Sequence, residues 1–170
     1  MSIVFFSYMY AIWALFEEND DKYLSKIIED LSEVYHSSKF FPHITVYGLA
    51  DIKLRIIEKV VSDSIENLKP FKVNKIGINY SDDFWKTVFI EIRPNHELKL
   101  INTRLCSKLK KYATYEFAPH ISLIYKKMKS SEKMKISNMK IKNKFTIDSI
   151  AIQQFSENIA EWKIIRNFKL

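Results

Sequence analysis

Phe40-Phe41-Pro42-His43-Ile44-Thr45-Val46-Tyr47 and Glu116-Phe117-Ala118-Pro119-His120-Ile121-Ser122-Leu123-Ile124-Tyr125 are two settings of one pattern. In each, an aromatic residue leads into Pro, His, Ile, a hydroxyl residue and an aliphatic one, in register, and 77 positions separate the two histidines. A single His beside a proline is most often structural. Two matching copies, each after a helical stretch, are hard to assign to chance. Residues i and i+2 of a strand share a face and lie roughly 6.5 to 7 Å apart. His43 with Thr45, and His120 with Ser122, therefore point together to one side, while Ile44 and Ile121 turn into the core. Pro42 and Pro119 have no backbone N–H and suit a strand start or edge just before each histidine.

The sequence on either side repeats one order of elements. Tyr8 to Phe16 is rich in aromatic and β-branched residues and reads as a strand, and the carboxylates of Glu17 to Asp21 suit the positive end of a helix. In that helix Tyr23, Leu24, Ile27, Ile28, Leu31 and Val34 recur at three- and four-residue steps, up to an end near Tyr35 to Ser38. Phe40 to Tyr47 reads as a strand that stops at Gly48, and Ile52 to Leu68 again has helical spacing. Phe71 to Tyr80 and Thr87 to Ile92 are strands placed to pair as a hairpin around the turn Ser81 to Lys86. Pro94 opens a helix from about Glu97 to Tyr112, and Ala118 to Tyr125 returns to strand. Lys126 to Lys144 reads as basic loop with a short helix, and Phe145 to Phe155 and Trp162 to Leu170 as two closing strands. The expected class is α+β with two similar halves.

At 170 residues and 47% apolar composition, the chain can bury one sizeable core, and residues 1–170 are expected to form a single domain. With 2 Gly and 4 Pro and no low-complexity stretch, nothing reads as a linker. The net charge of +7 fits an anionic partner through long-range attraction, but it also fits the Lys, Ile and Asn bias of an AT-rich genome. Cys106 is the only cysteine, which excludes an internal disulfide and a cysteine metal cluster and suits a reducing, cytoplasmic compartment. The uncharged run Ile3 to Phe16 lacks a basic start and a small-residue cleavage site, and it is too short to span a bilayer. It is expected to be a buried strand with a hydrophobic lead-in, and no membrane partner is expected.

Two opposed histidines suit phosphodiester hydrolysis. A neutral imidazole can take a proton from the nucleophile while a protonated one gives a proton to the leaving oxygen, and an unperturbed pKa of about 6.5 permits both states near neutrality. Thr45 and Ser122 are placed to hydrogen-bond the non-bridging phosphoryl oxygens. The scheme requires no metal and no cofactor. A catalytic zinc normally takes three protein ligands, and neither motif includes a second His, a Cys or an adjacent carboxylate. A serine hydrolase lacks its Gly-x-Ser-x-Gly elbow. His36 and His96 lie outside the repeat and read as ordinary surface residues.

With both motifs in place, the chain resembles the 2H phosphoesterase superfamily, and the resemblance spans nearly all of it. Tyr10-Ala11-Ile12-Trp13-Ala14, Phe41 to Val46 and Pro119 to Tyr125 are most similar to the plant and yeast cyclic phosphodiesterase branch, and Trp85 to Phe89 and the Trp162-to-Leu170 ending less specifically so. The resemblance implies a bilobed, pseudo-two-fold, LigT-like fold, each lobe an antiparallel sheet with flanking helices around a central cleft. It implies opening of a nucleoside 2′,3′-cyclic phosphate or ADP-ribose 1″,2″-cyclic phosphate by water, without a cofactor, in a monomer. In the family's usual assignment the product of a 2′,3′-cyclic substrate is a 2′-phosphate. By motif order His43 is then the acid to the 3′ oxygen and His120 the base toward water. Tyr125 falls where the family places a tyrosine that contacts phosphate or ring, and Trp85 and Tyr10 are candidates to stack on a base or ribose. Tyr125 reads equally as a strand-end aromatic on the core, and for Trp85 and Tyr10 the structural reading is the preferred one. Lys126 to Lys144 leaves cyclic or 2′-5′ signalling oligonucleotides and RNA ends open as alternative substrates, and a non-catalytic binder of nucleotides or RNA ends as an alternative of another class.

Overall fold

The computed structural model describes residues 8–170, so the lead-in of the first strand before Tyr8 lies outside the described residues. Seven strands and four α-helices follow in the order β1 (Met9–Phe16), α1 (Glu18–Tyr35), β2 (Ile44–Asp51), α2 (Leu54–Ser64), β3 (Phe71–Tyr80), β4 (Val88–Arg93), α3 (His96–Leu109), β5 (His120–Ile124), α4 (Ser130–Ser137), β6 (Lys144–Gln154) and β7 (Lys163–Lys169). All strand pairs are antiparallel, in the order β1-β2-β5-β4-β3-β6, and β6 pairs back to β1 and closes the ring. β7 joins the outer edge of β6. Residues 144–147 of β6 pair with β3 and residues 149–154 with β7, so the two strands divide one edge of β6 while β1 takes the other.

The ring is one closed sheet with two halves that meet at the short β2–β5 and β3–β6 pairings. One half carries β2, β1, β6 and β7, and the other carries β3, β4 and β5. The seam between the motif strands is a single pair, Ile44 with Ile121, the middle residues of the two Pro-His-Ile motifs. Both isoleucines are fully buried. The long helices cross over, since α1 packs on β5 and α3 on β2. Side chains repeat the crossing. Asn102 of α3 donates to the Val46 carbonyl of β2 (2.9 Å), and Lys126, just past β5, donates to the Tyr35 carbonyl at the end of α1.

β1 alternates cleanly, with Tyr10, Ile12, Ala14 and Phe16 in the main core and Ala11 and Trp13 in a second, aromatic cluster on the opposite face. The first turn of α1 carries Glu18, Asp20 and Asp21, which suits the positive end of a helix. Asp20 is buried, accepting from the Thr146 backbone N–H (2.5 Å) and from Lys142, and so ties α1 to β6. The basic segment supplies two more ties. Lys126 is joined to α1 as described, and the buried Lys133 of α4 donates to the Ser81 carbonyl (2.8 Å) and to Asp82 (2.6 Å) at the β3–β4 turn.

The second strand differs from expectation at both ends. β2 begins at Ile44 rather than Phe40, because Pro42 has no N–H and His43 itself occupies the Phe41 carbonyl that a neighbouring strand would need. β2 also runs through Gly48 to Asp51. Tyr10 pairs with Ala50 and Ile12 with Tyr47, so Gly48 and Leu49 together oppose Ala11 in a β-bulge. The bulge puts Gly48 and Leu49 on the aromatic face, whereas Val46, Tyr47 and Ala50 remain in the main core. A Cβ on Gly48 would lie 2.6 Å from Cδ2 of Tyr115, so the glycine is required by the ring that covers it and not by a turn.

Candidate active site

The two motif histidines are held in the same way. His43 Nδ1 is 2.7 Å from the Phe41 carbonyl, and His120 Nδ1 is 2.8 Å from the Ala118 carbonyl, two residues back in each case. A carbonyl only accepts, so Nδ1 of each ring carries the proton and Nε2 is left with its lone pair. Each motif proline holds this turn open by withholding an N–H from the ladder. The His43 ring lies flat on Trp13, with centroids 3.6 Å apart and planes 10° from parallel, and meets Trp162 edge-on at 6.0 Å. His120 is less enclosed and meets the edge of Phe89 at 5.4 Å.

Both histidines line one cavity of about 440 Å³. Thr45, Trp85 and Tyr125 share its wall, so five of the seven residues expected at a site are brought together. Ser122 is buried and is not part of that wall. Its Oγ is turned to the Trp85 carbonyl at 3.5 Å, at the limit of a hydrogen bond, and lies close to the Tyr125 hydroxyl. The two hydroxyl positions of the repeat are therefore not equivalent. Tyr10 points the other way, into the main core, because it precedes the cavity-lining Ala11 on an alternating strand. It does not reach a ligand in the cleft. Tyr125 is both core and wall, packing on Phe40 at 4.4 Å between centroids while facing the cavity.

Several wall residues carry no motif. Trp13, Phe155 and Trp162 join Trp85 and Tyr125 as an aromatic side, with Trp85 and Trp162 nearly parallel at 6.0 Å and Trp13 edge-on to Trp162 at 5.4 Å. Trp85 is held at the hairpin tip, where Asp83 accepts from its backbone N–H (2.9 Å). Tyr115 donates to the Thr45 carbonyl (3.2 Å) and closes the cavity over Gly48. Gln153 of β6, Asp83, Lys86 and Glu116 complete the polar lining. In the sequence, Trp13 and Trp162 lie in stretches that carry the family resemblance without being singled out themselves, and Gln153 has no signal at all. A smaller cavity of about 250 Å³ lies beyond His120 and shares Lys86, Ala118 and His120 with the first.

Burial governs the electrostatics. It pulls the His43 imidazole down to about 3, against a smaller opposing effect of the Phe41 carbonyl, with His120 adding slightly to the depression. His120 is lowered by burial as well, the Ala118 carbonyl opposing, and the nearby Lys86 and Asp83 act in opposite directions. Both rings are thus neutral in the free site at neutral pH. Burial also pushes the Tyr125 phenol well up, so it stays protonated and can donate. Two neutral imidazoles with unprotonated Nε2 atoms stand in one wall with a threonine hydroxyl, Lys86 and the carboxylates of Asp83 and Glu116, an arrangement able to accept and pass on protons.

Residues 9–170 match the family model described as cyclic phosphodiesterase-like protein. The chain is 23% identical over 125 residues to the cyclic phosphodiesterase of Arabidopsis thaliana, a match that covers 74% of this chain and 69% of that one. Among solved structures, TT0787 of Thermus thermophilus superposes with a TM-score of 0.67 at 12% identity, covering 95% of this chain and 97% of that one. E. coli LigT complexed with 3′-AMP superposes with a TM-score of 0.62 at 11% identity, covering 96% and 98%. These two likenesses establish the fold.

Proposed function

From the premise that this chain belongs to the cyclic phosphodiesterase-like protein family and is a phosphodiesterase of the 2H type, we propose that it hydrolyses a nucleoside 2′,3′-cyclic phosphate or ADP-ribose 1″,2″-cyclic phosphate to a phosphomonoester, using His43 and His120 and no metal. The observation that carries this reading is the shared anchoring of the two rings, Nδ1 on a backbone carbonyl and Nε2 free, in the wall of one cavity. A water molecule attacks phosphorus, one imidazole takes its proton, the P–O bond to the leaving oxygen breaks, and the other ring protonates that oxygen. In the motif order His120 is the base and His43 the acid. The depressed pKa of His43 then requires that its proton be drawn in by the substrate's own negative charge.

Thr45 hydrogen-bonds a non-bridging oxygen from the cavity wall. Ser122 does the same once its hydroxyl turns from the Trp85 carbonyl, which it holds only weakly at 3.5 Å. Lys86 supports the developing charge. The aromatic side takes the nucleoside, and Trp85 and Tyr125 are the members that the sequence already singles out. E. coli LigT forms complexes with 3′-AMP, phosphate, NADP+ and ATP, ligands of the same chemistry. Small substrates are favoured over oligonucleotides because Lys126, Lys133 and Lys142 of the basic segment are engaged in tying the fold together.

The test is a panel of cyclic phosphates incubated with protein in EDTA, with the phosphomonoester isomers resolved. Release of one isomer by the wild type, and its loss in His43→Ala and His120→Ala, is the expected result. No product from any member, or equal product from the variants, overturns the reading.

A further inference from the structure

Asp83, Trp85 and Lys86 reach the wall of the 440 Å³ cavity from the hairpin tip, residues 81–87, that joins β3 to β4. The tip is braced within itself. The Ser81 hydroxyl donates to the Lys86 carbonyl (2.7 Å), the Ser81 N–H to the Thr87 carbonyl (3.1 Å) and the Thr87 hydroxyl to the Phe84 carbonyl (2.9 Å), and Asp83 accepts from the Trp85 N–H. A unit tied in this way moves as a whole, so the place of the Trp85 ring depends on what fastens the tip to the rest of the molecule.

The fastening comes from behind the hairpin, from a buried cation that the reaction does not use. Lys133 of α4 is 4% exposed and lies outside the cavity wall, and its ammonium donates to the Ser81 carbonyl (2.8 Å) and to Asp82 (2.6 Å). The Asp82 carboxylate is fully exposed, which leaves the partly buried bond to the carbonyl as the firmer of the two. Among the described residues, the other hydrogen bonds that a side chain makes between the tip and its surroundings run from Ser122 to the Trp85 carbonyl and from the Lys126 N–H to the Thr87 hydroxyl. Both are 3.5 Å, at the limit of such a bond.

Trp85 is 39% exposed, whereas Tyr125 and Trp162, on which it packs, are 7% and 9% exposed, so packing encloses it least on the aromatic side. Lys86 is placed differently. Its ammonium rests 4.8 Å over the ring of Phe89, a residue of β4 and not of the tip, and its long stem absorbs a small shift of the backbone. A tip that has lost its fastening therefore misplaces the rigid indole and spares the cation. We propose that Lys133 is a positioning residue for nucleoside binding, which holds the Trp85 ring against the aromatic side of the cavity without touching the ligand. Its effect on binding rests on the reading that a nucleotide occupies the cavity, and its effect on the place of the ring does not.

The full chain labelled with fluorotryptophan at its 3 tryptophans gives the readout by fluorine NMR, the Trp85 resonance being assigned with Trp85→Phe. In Lys133→Met the Trp85 resonance should move while those of Trp13 and Trp162 stay in place, which also reports an intact fold. Affinity for adenosine 2′-monophosphate should fall about tenfold, and affinity for inorganic phosphate, which does not reach the indole, should stay within about twofold. Lys133→Gln, which keeps one neutral donor toward the Ser81 carbonyl, should fall between the wild type and Lys133→Met in both measurements. A Trp85 resonance that does not move, movement of all three resonances together, or an equal loss of affinity for phosphate and nucleotide overturns the inference. A wild type that neither binds nor hydrolyses any nucleotide refutes the proposed reaction instead, and the three resonances then decide by themselves whether Lys133 places Trp85.

Discussion

Binding of an anion in the cleft should draw a proton onto His43. In the free site burial holds this ring near pKa 3, so at pH 6 about one molecule in a thousand carries the imidazolium. An anionic oxygen about 4 Å from the ring favours the charged form by about 4 kcal/mol at an effective dielectric constant of about 20. That is close to three powers of ten, enough to bring the ring to about half protonated at pH 6. Sulfate is the suitable probe because its charge does not change through this range. Calorimetric titrations in buffers of different protonation enthalpy should show an uptake of roughly half a proton more per bound sulfate in the wild type than in His43→Gln. His120, lowered in the same direction, is present in both proteins, so the difference between them reports chiefly on His43. A heat independent of buffer, or the same uptake in His43→Gln, would refute the coupling between His43 and the anion.

Four further outcomes are expected. The depressed His43 pKa means that the unfolded chain takes up a proton below about pH 6.5 which the folded one refuses, so stability is lost as pH falls, at about 1.4 kcal/mol per pH unit for this one group; urea titrations between pH 6.5 and 5 should find a shallower loss in His43→Gln. Trp13→Ala removes the buried ring on which His43 is stacked and should cost about 3–5 kcal/mol in the same assay, with the His43 ring signals titrating at higher pH in NMR as burial is relieved. Gly48→Ala places a methyl group 2.6 Å from the Tyr115 ring and should cost about 1–3 kcal/mol; Tyr115→Leu should recover part of the loss in the double variant, and strict additivity would refute the clash. A substrate with sulfur in place of the leaving oxygen needs little proton donation, so it should restore hydrolysis to His43→Ala and not to His120→Ala; the converse would exchange the two roles.

What could be read in the sequence is what local periodicity encodes. Ile44 and Ile121 alternate with His and the hydroxyl residues, and the structure joins these two isoleucines across the seam. Helical spacing located α1, α2 and α3 to within a few residues, although α2 and α3 end earlier than their apolar runs. Gly48 misled because glycine usually marks a turn, whereas its reason here is the Tyr115 ring, which comes from a distant loop. On β1 both faces are apolar, so alternation separates Tyr10 from Trp13 without saying which side is the cleft. That choice is made by the strands on either side, and it sends Trp13 to the site and Tyr10 to the core. The lysines of the basic segment look alike in the sequence. Only their partners, Tyr35, Ser81 and Asp20, show that three of them hold the fold together. The inequality of Thr45 and Ser122 is likewise invisible in a motif that treats them as equivalents.

The closing of the ring by β1 and β6 sets a condition on how the protein is made. β1 leaves the ribosome first among the described strands, and β6 last but one. Until β6 emerges, one edge of β1 has no partner, although its side chains are apolar on both faces. An unpaired strand of this kind is a template for pairing with other chains. The link also joins distant parts of the chain, which slows folding. The cleft is finished by the same late event, since Gln153 lies on β6 and Phe155 and Trp162 follow it. A nascent chain that already displays both histidines therefore still has an unpaired edge on β1 and an incomplete site, and the emergence of residues 144–162 removes both conditions at once.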